Sequence, residues 1–364
     1  MKEKAFRWIL LVSFFFVIFM PHMIWMFAED QFSGENTENR VLAQKPEFSI
    51  EAIETYPRSY EKYYNDHLPF RNYLINLYNT MMYKVFRTSI HSAVLLGEDG
   101  WLFYDAESSV EDYTGEFMFT DEELEYIAEN LMETRDKLAA QGTEFVLFVA
   151  PNKERVYSEY MPDYLGKPAE ICMVDQFMTY LREHTDIRVV YAYDALMAYK
   201  AAHPEQRLYH KTDTHWNNLG AYIGARELLA ELGIEIPPLE QQEVTVIGGG
   251  SGDLASMLKL KGNLEDAFSI QVHDTALEKL QSHGLSEDGY VWSYETAGLP
   301  ERKLFVKHDS FFVSMCPYVV SRFSQALSMN GIAYDQQMAD AYEKDVYVLE
   351  IVERYLPTLL RPIL

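Results

Sequence analysis

Apolar positions along this chain fall into three patterns. The first is an almost entirely apolar run over residues 8–27 with no formal charge inside it. About 20 such residues match the hydrocarbon thickness of a bilayer. The second is helical spacing. In residues 71–86, Leu74, Leu77, Tyr78, Met81, Met82 and Val85 recur on one face. Thr120-Asp121-Glu122-Glu123 is a capping box that opens a helix with Leu124, Ile127, Ala128 and Leu131 inward, ended at Gly142. Residues 171–184 and 218–232 also read as helices, and 311–329 as mostly helical. The third is the short continuous run, at 144–150 (stopped by Pro151), 187–193, 302–307 and 346–351. Residues 94–103 add two short strands joined by a turn at Asp99-Gly100.

Helix followed by a continuous apolar strand, repeated, predicts an open α/β sheet of parallel strands. Sites in such sheets lie beyond the carboxyl ends of the strands. Asn152 and Lys153, Tyr193 and Asp194, Ser310, and Glu353 and Arg354 all fall there. Residues 240–300 break the alternation and are expected to form an insertion or a cap. Their run Gly248-Gly249-Gly250-Ser251-Gly252-Asp253 is expected as a flexible loop. It lacks the lysine of a phosphate-binding loop, so no nucleotide site is assigned.

Lys2, Lys4 and Arg7 precede the long apolar run, and Glu29 and Asp30 follow it. Positive-inside logic leaves the N-terminus cytoplasmic and the remaining chain outside. The run is long for a signal peptide, and Met26-Phe27-Ala28 is a poor cleavage site, so an uncleaved anchor is preferred. Pro21 and His22 inside the span bend or weaken it. The organisation expected is a cytoplasmic tip and anchor at 1–28, a polar, Pro-punctuated linker at 29–57 and an ectodomain at 58–364. With 48% hydrophobic and 24% charged residues, the chain has a globular composition. A net charge of −25 repels phosphate backbones and argues against nucleic acid. The 26 tyrosines suit sugar rings and ordinary cores equally. Two cysteines, Cys172 and Cys316, make no disulfide framework and no zinc knuckle, though one bridge stays open. Cys316 reads as buried.

Candidate chemistry centres on Tyr209-His210-Lys211-Thr212-Asp213-Thr214-His215-Trp216-Asn217-Asn218-Leu219-Gly220. On an extended segment Asp213 and His215 face the same side, so the carboxylate can fix the imidazole tautomer and stabilise its protonated form. The nucleophile candidate is Ser310, at a strand–turn–helix junction where the first helical N–H groups are free to bind an oxyanion. The plain alternative is an ordinary helix N-cap, held by Ser310 or Asp309; pairing with Asp213 and His215 favours the nucleophile. Asn152 or Lys153 could bind a substrate carbonyl or a sugar, or be loop residues. Arg354 could clamp a carboxylate, or pair with Glu353 on the surface. Trp216 is a sugar platform or packing that fixes its loop. His210, Asp213 and His215 could ligate a metal, but no fourth ligand is visible, so neither metal nor cofactor is assigned.

Asp213-Thr214-His215-Trp216 with Asn217-Asn218-Leu219-Gly220-Ala221, and His308-Asp309-Ser310-Phe311, resemble the DHHW-type SGNH-hydrolase-like proteins, which include periplasmic alginate O-acetyltransferases. Supporting pieces are Glu38-Asn39-Arg40, Pro69-Phe70-Arg71, Pro151-Asn152-Lys153-Glu154-Arg155-Val156-Tyr157, Gly252-Asp253-Leu254 and Glu353-Arg354-Tyr355-Leu356, in the family's order over about residues 35–360. The resemblance implies a flavodoxin-like open sheet with helices on both faces and a membrane-tethered enzyme of acyl esters. It implies acetyl transfer to an extracellular polysaccharide, with Ser310 as nucleophile, His215 as base and Asp213 as its orienter. The donor would come from a multi-pass membrane O-acyltransferase. A carbohydrate esterase with the same triad, or a non-catalytic scaffold or glycan-binding subunit of such a system, are the alternatives. The chain departs from the family in having Thr214 where many relatives have a second histidine, and His308 where glycine is usual. His308 would crowd the turn or add a polar group to the site.

Overall fold

The computed structural model describes residues 2–32, 41–260, 262–265 and 267–363. The motif Glu38-Asn39-Arg40 lies outside the described residues. The chain divides into two compact units, Met1–Arg87 and Thr88–Leu364.

The first unit is helical: α1 (Lys2–Phe32), α2 (Tyr56–Asp66) and α3 (Arg71–Lys84). Within α1, Lys4–Ile24 is long and apolar enough to cross a membrane, and Pro21 sits inside the helix.

The second unit opens with β1 (Val94–Leu96) and β2 (Leu102–Tyr104), an antiparallel pair whose tight turn holds Asp99 and Gly100 at positive φ. Then come α4 (Ser109–Thr114), α5 (Asp121–Ala139), β3 (Glu144–Ala150), α6 (Lys153–Val156), α7 (Met173–His184), β4 (Val189–Tyr191), α8 (Tyr193–Ala202) and α9 (Asn218–Glu231). Thr120 and Glu123 cap α5 reciprocally, at 3.2 and 2.9 Å. Next follow β5 (Glu243–Gly250), α10 (Asp253–Met257), β6 (Ala267–His273), β7 (Leu280–Gly284) and β8 (Val291–Thr296). The chain closes with β9 (Lys303–His308), α11 (Phe312–Val320), β10 (Gln325–Asn330), α12 (Gln336–Ala341) and β11 (Val346–Val352).

Among the described residues the main sheet has the order β4-β3-β11-β9-β10-β8-β7. The strands from β4 to β10 run parallel, and β8 and β7 add an antiparallel edge. Alternation along β3 explains the two layers. Val146, Phe148 and Ala150 pack with Trp216, Leu228, Phe312 and Val319, from the α9 and α11 side. Phe145, Leu147 and Val149 pack with Leu124, Leu131 and Phe177, from the α5 and α7 side. Helices therefore cover both faces, as a buried parallel sheet requires.

Two expectations are corrected. Residues 311–329 are not mostly helical: α11 stops at Val320, and Gln325–Asn330 is the strand β10. Gln-Ala-Leu-Ser-Met-Asn has no β-branched residue to mark it as a strand, and its burial between β9 and β8 decides the matter. Gly248, Gly249 and Gly250 are also not a loop, because their backbones pair with Ser269, Phe268 and Ala267 of β6. Of residues 240–300, β5 and β6 form a separate pair, whereas β7 and β8 extend the main sheet.

Candidate active site

The carboxyl ends of β3, β9 and β11 bring Asn152, Ser310 and Arg354 to one edge of the sheet. The Asp-x-His segment reaches that edge as a loop closed by the Tyr209–Trp216 bridge and by the His210 N–H donating to the His215 carbonyl at 3.3 Å. The Tyr209 hydroxyl donates to the Pro151 carbonyl at 2.6 Å, tying the loop to the end of β3. Thr212, Thr214 and Trp216 are buried, while Asp213 and His215 between them are half-exposed. The period of two thus survives in an irregular loop.

His215 links the other two groups. Its Nε2 lies 2.8 Å from Ser310 Oγ, and its Nδ1 lies 2.7 Å from Asp213 Oδ1. With a carboxylate at Nδ1, that nitrogen carries the proton and Nε2 is left to accept from the serine hydroxyl. Asp213 also receives the His215 N–H at 3.0 Å and the Asp253 N–H at 2.9 Å. Burial raises the Asp213 carboxyl, but the hydrogen bond and charge of His215, with those backbone donors, outweigh it and hold the acid well below the usual carboxylate range. Asp213 is therefore ionised wherever His215 can act. Ser310 itself is exposed.

Asp253 was not among the residues singled out for chemistry. Its Oδ1 accepts from the N–H groups of Thr214 (2.8 Å) and Leu254 (2.6 Å), and its Oδ2 from the Thr214 hydroxyl (2.6 Å). Oδ2 stands 3.7 Å from His215 Nδ1. A second carboxylate thus braces the loop behind the imidazole. Gly252 makes the approach possible, since a Cβ there would strike the Thr212 carbonyl and Asp213 Cβ. In the sequence, Gly252-Asp253 reads as the end of a flexible loop and Gly252-Asp253-Leu254 as one piece of the family resemblance; the contact with Thr214 is tertiary.

The Ser310 turn is pinned on its inner side. Asp309 accepts from the Phe311 N–H at 2.8 Å and from the Val352 N–H of β11 at 2.7 Å. The Asp309 N–H donates to Glu350 at 3.0 Å. Burial raises both acids, and the neighbouring Asp309 charge raises Glu350 further, to well above its usual range. Asp309 receives two backbone donors, so Glu350 holds the proton of the pair. The Phe311 N–H is consequently taken, contrary to the expectation that the first N–H groups after Ser310 are free for an oxyanion. Among the described residues the Ser310 N–H has no acceptor.

The remaining candidates separate. Asn152 is buried, its Oδ1 accepts from Arg354 Nη1 at 3.3 Å, and its Nδ2 has no partner among the described residues. Arg354 is buried among the rings of Tyr104, Phe311 and Tyr355, each 5.2 Å from the guanidinium carbon. It is no surface pair with Glu353. That residue is buried, accepts from the Asn152 N–H at 2.5 Å and from the Tyr191 hydroxyl, and burial pushes it up to about 8. Lys153 does not face a substrate. Its Nζ donates to the carbonyls of Leu102, Lys211 and Asp213 at 2.6–2.9 Å. Trp216 is likewise no sugar platform, being fully buried with its indole N–H on the Phe311 carbonyl at 2.9 Å. His308 leaves the turn uncrowded. It points into the sheet, 2.8 Å from Ser328 Oγ, and burial lowers it to about 4. Ligand atoms of Asp213, His215 and Asp253 lie within 4.8 Å of one another, without His210. A cation there would have to displace the Asp213–His215 bond. Cys172 and Cys316 are buried free thiols.

An open, mostly parallel sheet with serine, histidine and aspartate joined at its carboxyl edge defines the SGNH-hydrolase-like class of α/β proteins. The chain belongs to the family described as "SGNH hydrolase-like domain, acetyltransferase AlgX", whose model matches residues 94–284. That span holds Asp213, His215 and Asp253 and ends before Ser310. The chain is 30% identical over 182 residues to the probable alginate O-acetylase AlgJ of Pseudomonas syringae pv. tomato, an alignment spanning 49% of this chain and 42% of that relative. It is 27% identical to the protein of the same description from Pseudomonas aeruginosa, over 82% of this chain and 79% of the relative. A DHHW family protein from Eubacterium siraeum shares the fold, with a TM-score of 0.52 and 16% identity over 73% of this chain and 95% of that one.

Proposed function

We propose that the chain is an O-acetyltransferase that acetylates hydroxyls of an extracellular or cell-wall polysaccharide through an acetyl-serine intermediate. The observation that carries this reading is the continuous line Ser310 Oγ, His215 Nε2, His215 Nδ1, Asp213 Oδ1, with both links at or under 2.8 Å. The relatives named as alginate O-acetylases support the acceptor class.

In this mechanism the Ser310 hydroxyl proton passes to His215 Nε2 as Oγ attacks the acetyl carbonyl carbon. The Ser310 N–H and the unpartnered Asn152 amide are the donors for the oxyanion, and Arg354 holds Asn152 from behind. Collapse breaks the bond to the donor's leaving group, which takes the proton from Nε2. A sugar hydroxyl then gives its proton to Nε2 and attacks acetyl-Ser310, and Ser310 Oγ departs with that proton. Water in place of the sugar makes the same machinery an esterase. No cofactor enters any step.

The cellular arrangement completes the proposal. Residues 1–28 tether the protein with a cytoplasmic N-terminus, 29–57 link, and 58–364 act outside the membrane. A multi-pass membrane O-acyltransferase supplies the acetyl group.

The test is the intact mass of the full-length chain after incubation with an activated acetyl ester. One added acetyl group is expected in the native protein, and none in Ser310→Ala or His215→Ala. Candidate glycans should then discharge it. An acetyl adduct that persists in Ser310→Ala would remove the nucleophile from this scheme, and an unchanged cellular acetylation in that variant would favour the scaffold alternative.

A further inference from the structure

Helix α3 sets Ile75, Met82 and Tyr83 on its half-buried side but carries a second apolar stripe that faces outward. Asn72, Asn76, Asn79 and Thr80 lie on its inner side, and Asn79 is only 3% exposed. Leu74, Leu77, Tyr78 and Met81 face outward, continued by Val85 at 69% exposure. A helix bathed in water turns its apolar stripe toward the core, so this contiguous outward face belongs against something else.

We propose that the outer face of α3 lies in the headgroup region of the bilayer that α1 enters, a proposal that rests on α1 being a membrane anchor. Three observations of this unit select lipid. Tyr56, Pro57, Tyr60 and Tyr64 line a pocket with His22 and Met26, which sets α2 against the end of the apolar span Lys4–Ile24, and only residues 67–70 separate α2 from α3. The outward face mixes Leu77 and Met81 with Tyr73 and Tyr78, the amphipathic rings that favour the interface. The charge is locally reversed. Residues 56–87 carry Arg58, Lys62, Arg71, Lys84 and Arg87 against Glu61 and Asp66, in a chain of net charge −25. Lys84 and Arg87 are exposed on either side of Val85 and Phe86. Apolar side chains flanked by basic ones are what an anionic lipid surface binds. A second copy of this chain would instead bring two basic faces together.

The full chain is reconstituted in phosphatidylglycerol–phosphatidylethanolamine vesicles with an environment-sensitive fluorophore on Phe14→Cys, Leu77→Cys or Tyr126→Cys. The native Cys172 and Cys316 are buried, and unsubstituted protein reports any background label. The Phe14 label should be quenched by nitroxides deep in the acyl chains. The Leu77 label should be quenched by nitroxides near the headgroups, and several-fold less by aqueous iodide than the Tyr126 label. A Leu77 label open to iodide while the Phe14 label sits in lipid overturns the inference and leaves the anchor standing. A Leu77 label shielded from both quenchers shows protein on this face and also overturns it. If neither label meets lipid, the anchor reading and the inference fall together.

Discussion

At the scale of single residues, the two carboxylates behind His215 do different things. Asp213 bonds Nδ1 directly at 2.7 Å, whereas Asp253 stands 3.7 Å away and acts through the backbone and hydroxyl of Thr214. Asp213→Asn should lose about three to four orders of magnitude in turnover, because an amide at that place no longer fixes the productive tautomer. Asp253→Asn keeps the shape but weakens charge-assisted hydrogen bonds worth about 1.5–3 kcal/mol. The expected cost is a fall of roughly 10–100-fold in acetyl-enzyme formation, with little change in KM. Both the rate and KM are read with a chromogenic acetyl ester at one fixed pH. A wild-type rate in Asp253→Asn would reduce that residue to a loop brace.

At the scale of elements, the junction of β9, β10 and α11 sets Ser310 in place, and His308 is its pH-sensitive part. Burial holds His308 neutral, lowered to about 4, against about 6.5 in an unfolded chain. Between those values the unfolded chain takes up a proton that the folded one refuses. Stability is therefore intact above pH 6.5 and lost as pH falls toward 4. Urea unfolding at pH 7 and pH 5 should show the native protein losing about 2 kcal/mol more than His308→Gln does; equal losses would contradict a buried neutral imidazole. The elements that carry the site were legible in proportion to how locally they are determined. β3, β9 and β11 are continuous apolar runs ended by polar residues, so the strand ends bearing Asn152, Ser310 and Arg354 could be read directly. β10 could not, because a strand without β-branched residues is fixed by its neighbours. The Asp213–His215 pairing was legible from spacing alone. The brace by Asp253, the three carbonyls on Lys153 and the indole of Trp216 on Phe311 join segments far apart in sequence, and no local pattern announces them.

At the scale of the whole molecule, charge bears on the choice of acceptor. The chain carries a net charge of −25, and the basic excess of residues 56–87 offsets little of it. An anionic polysaccharide such as a polyuronate approaches against that field, while a neutral glycan does not. The Debye length shrinks from about 30 Å at 0.01 M salt to about 10 Å at 0.1 M, so screening should help the anionic acceptor selectively. If the acceptor is anionic, acetyl transfer to it at sub-saturating concentration should rise several-fold over that range, while transfer to a neutral glycan stays level. Acetyl-enzyme formation from an uncharged donor, measured alongside, should not move, which isolates the effect in the acceptor step. The opposite slope would carry its own meaning. A rate on polyuronate that falls with salt requires a local cationic field strong enough to reverse the global one. Arg354 is a guanidinium beside the Ser310 turn, 5.2 Å from the Phe311 ring and with its Nε 3.5 Å from Glu107, and Arg354→Gln should then weaken that slope as well as loosen Asn152. The ionic-strength dependence thus decides whether the acceptor's charge is tolerated by the molecule as a whole or recruited by one residue of the site.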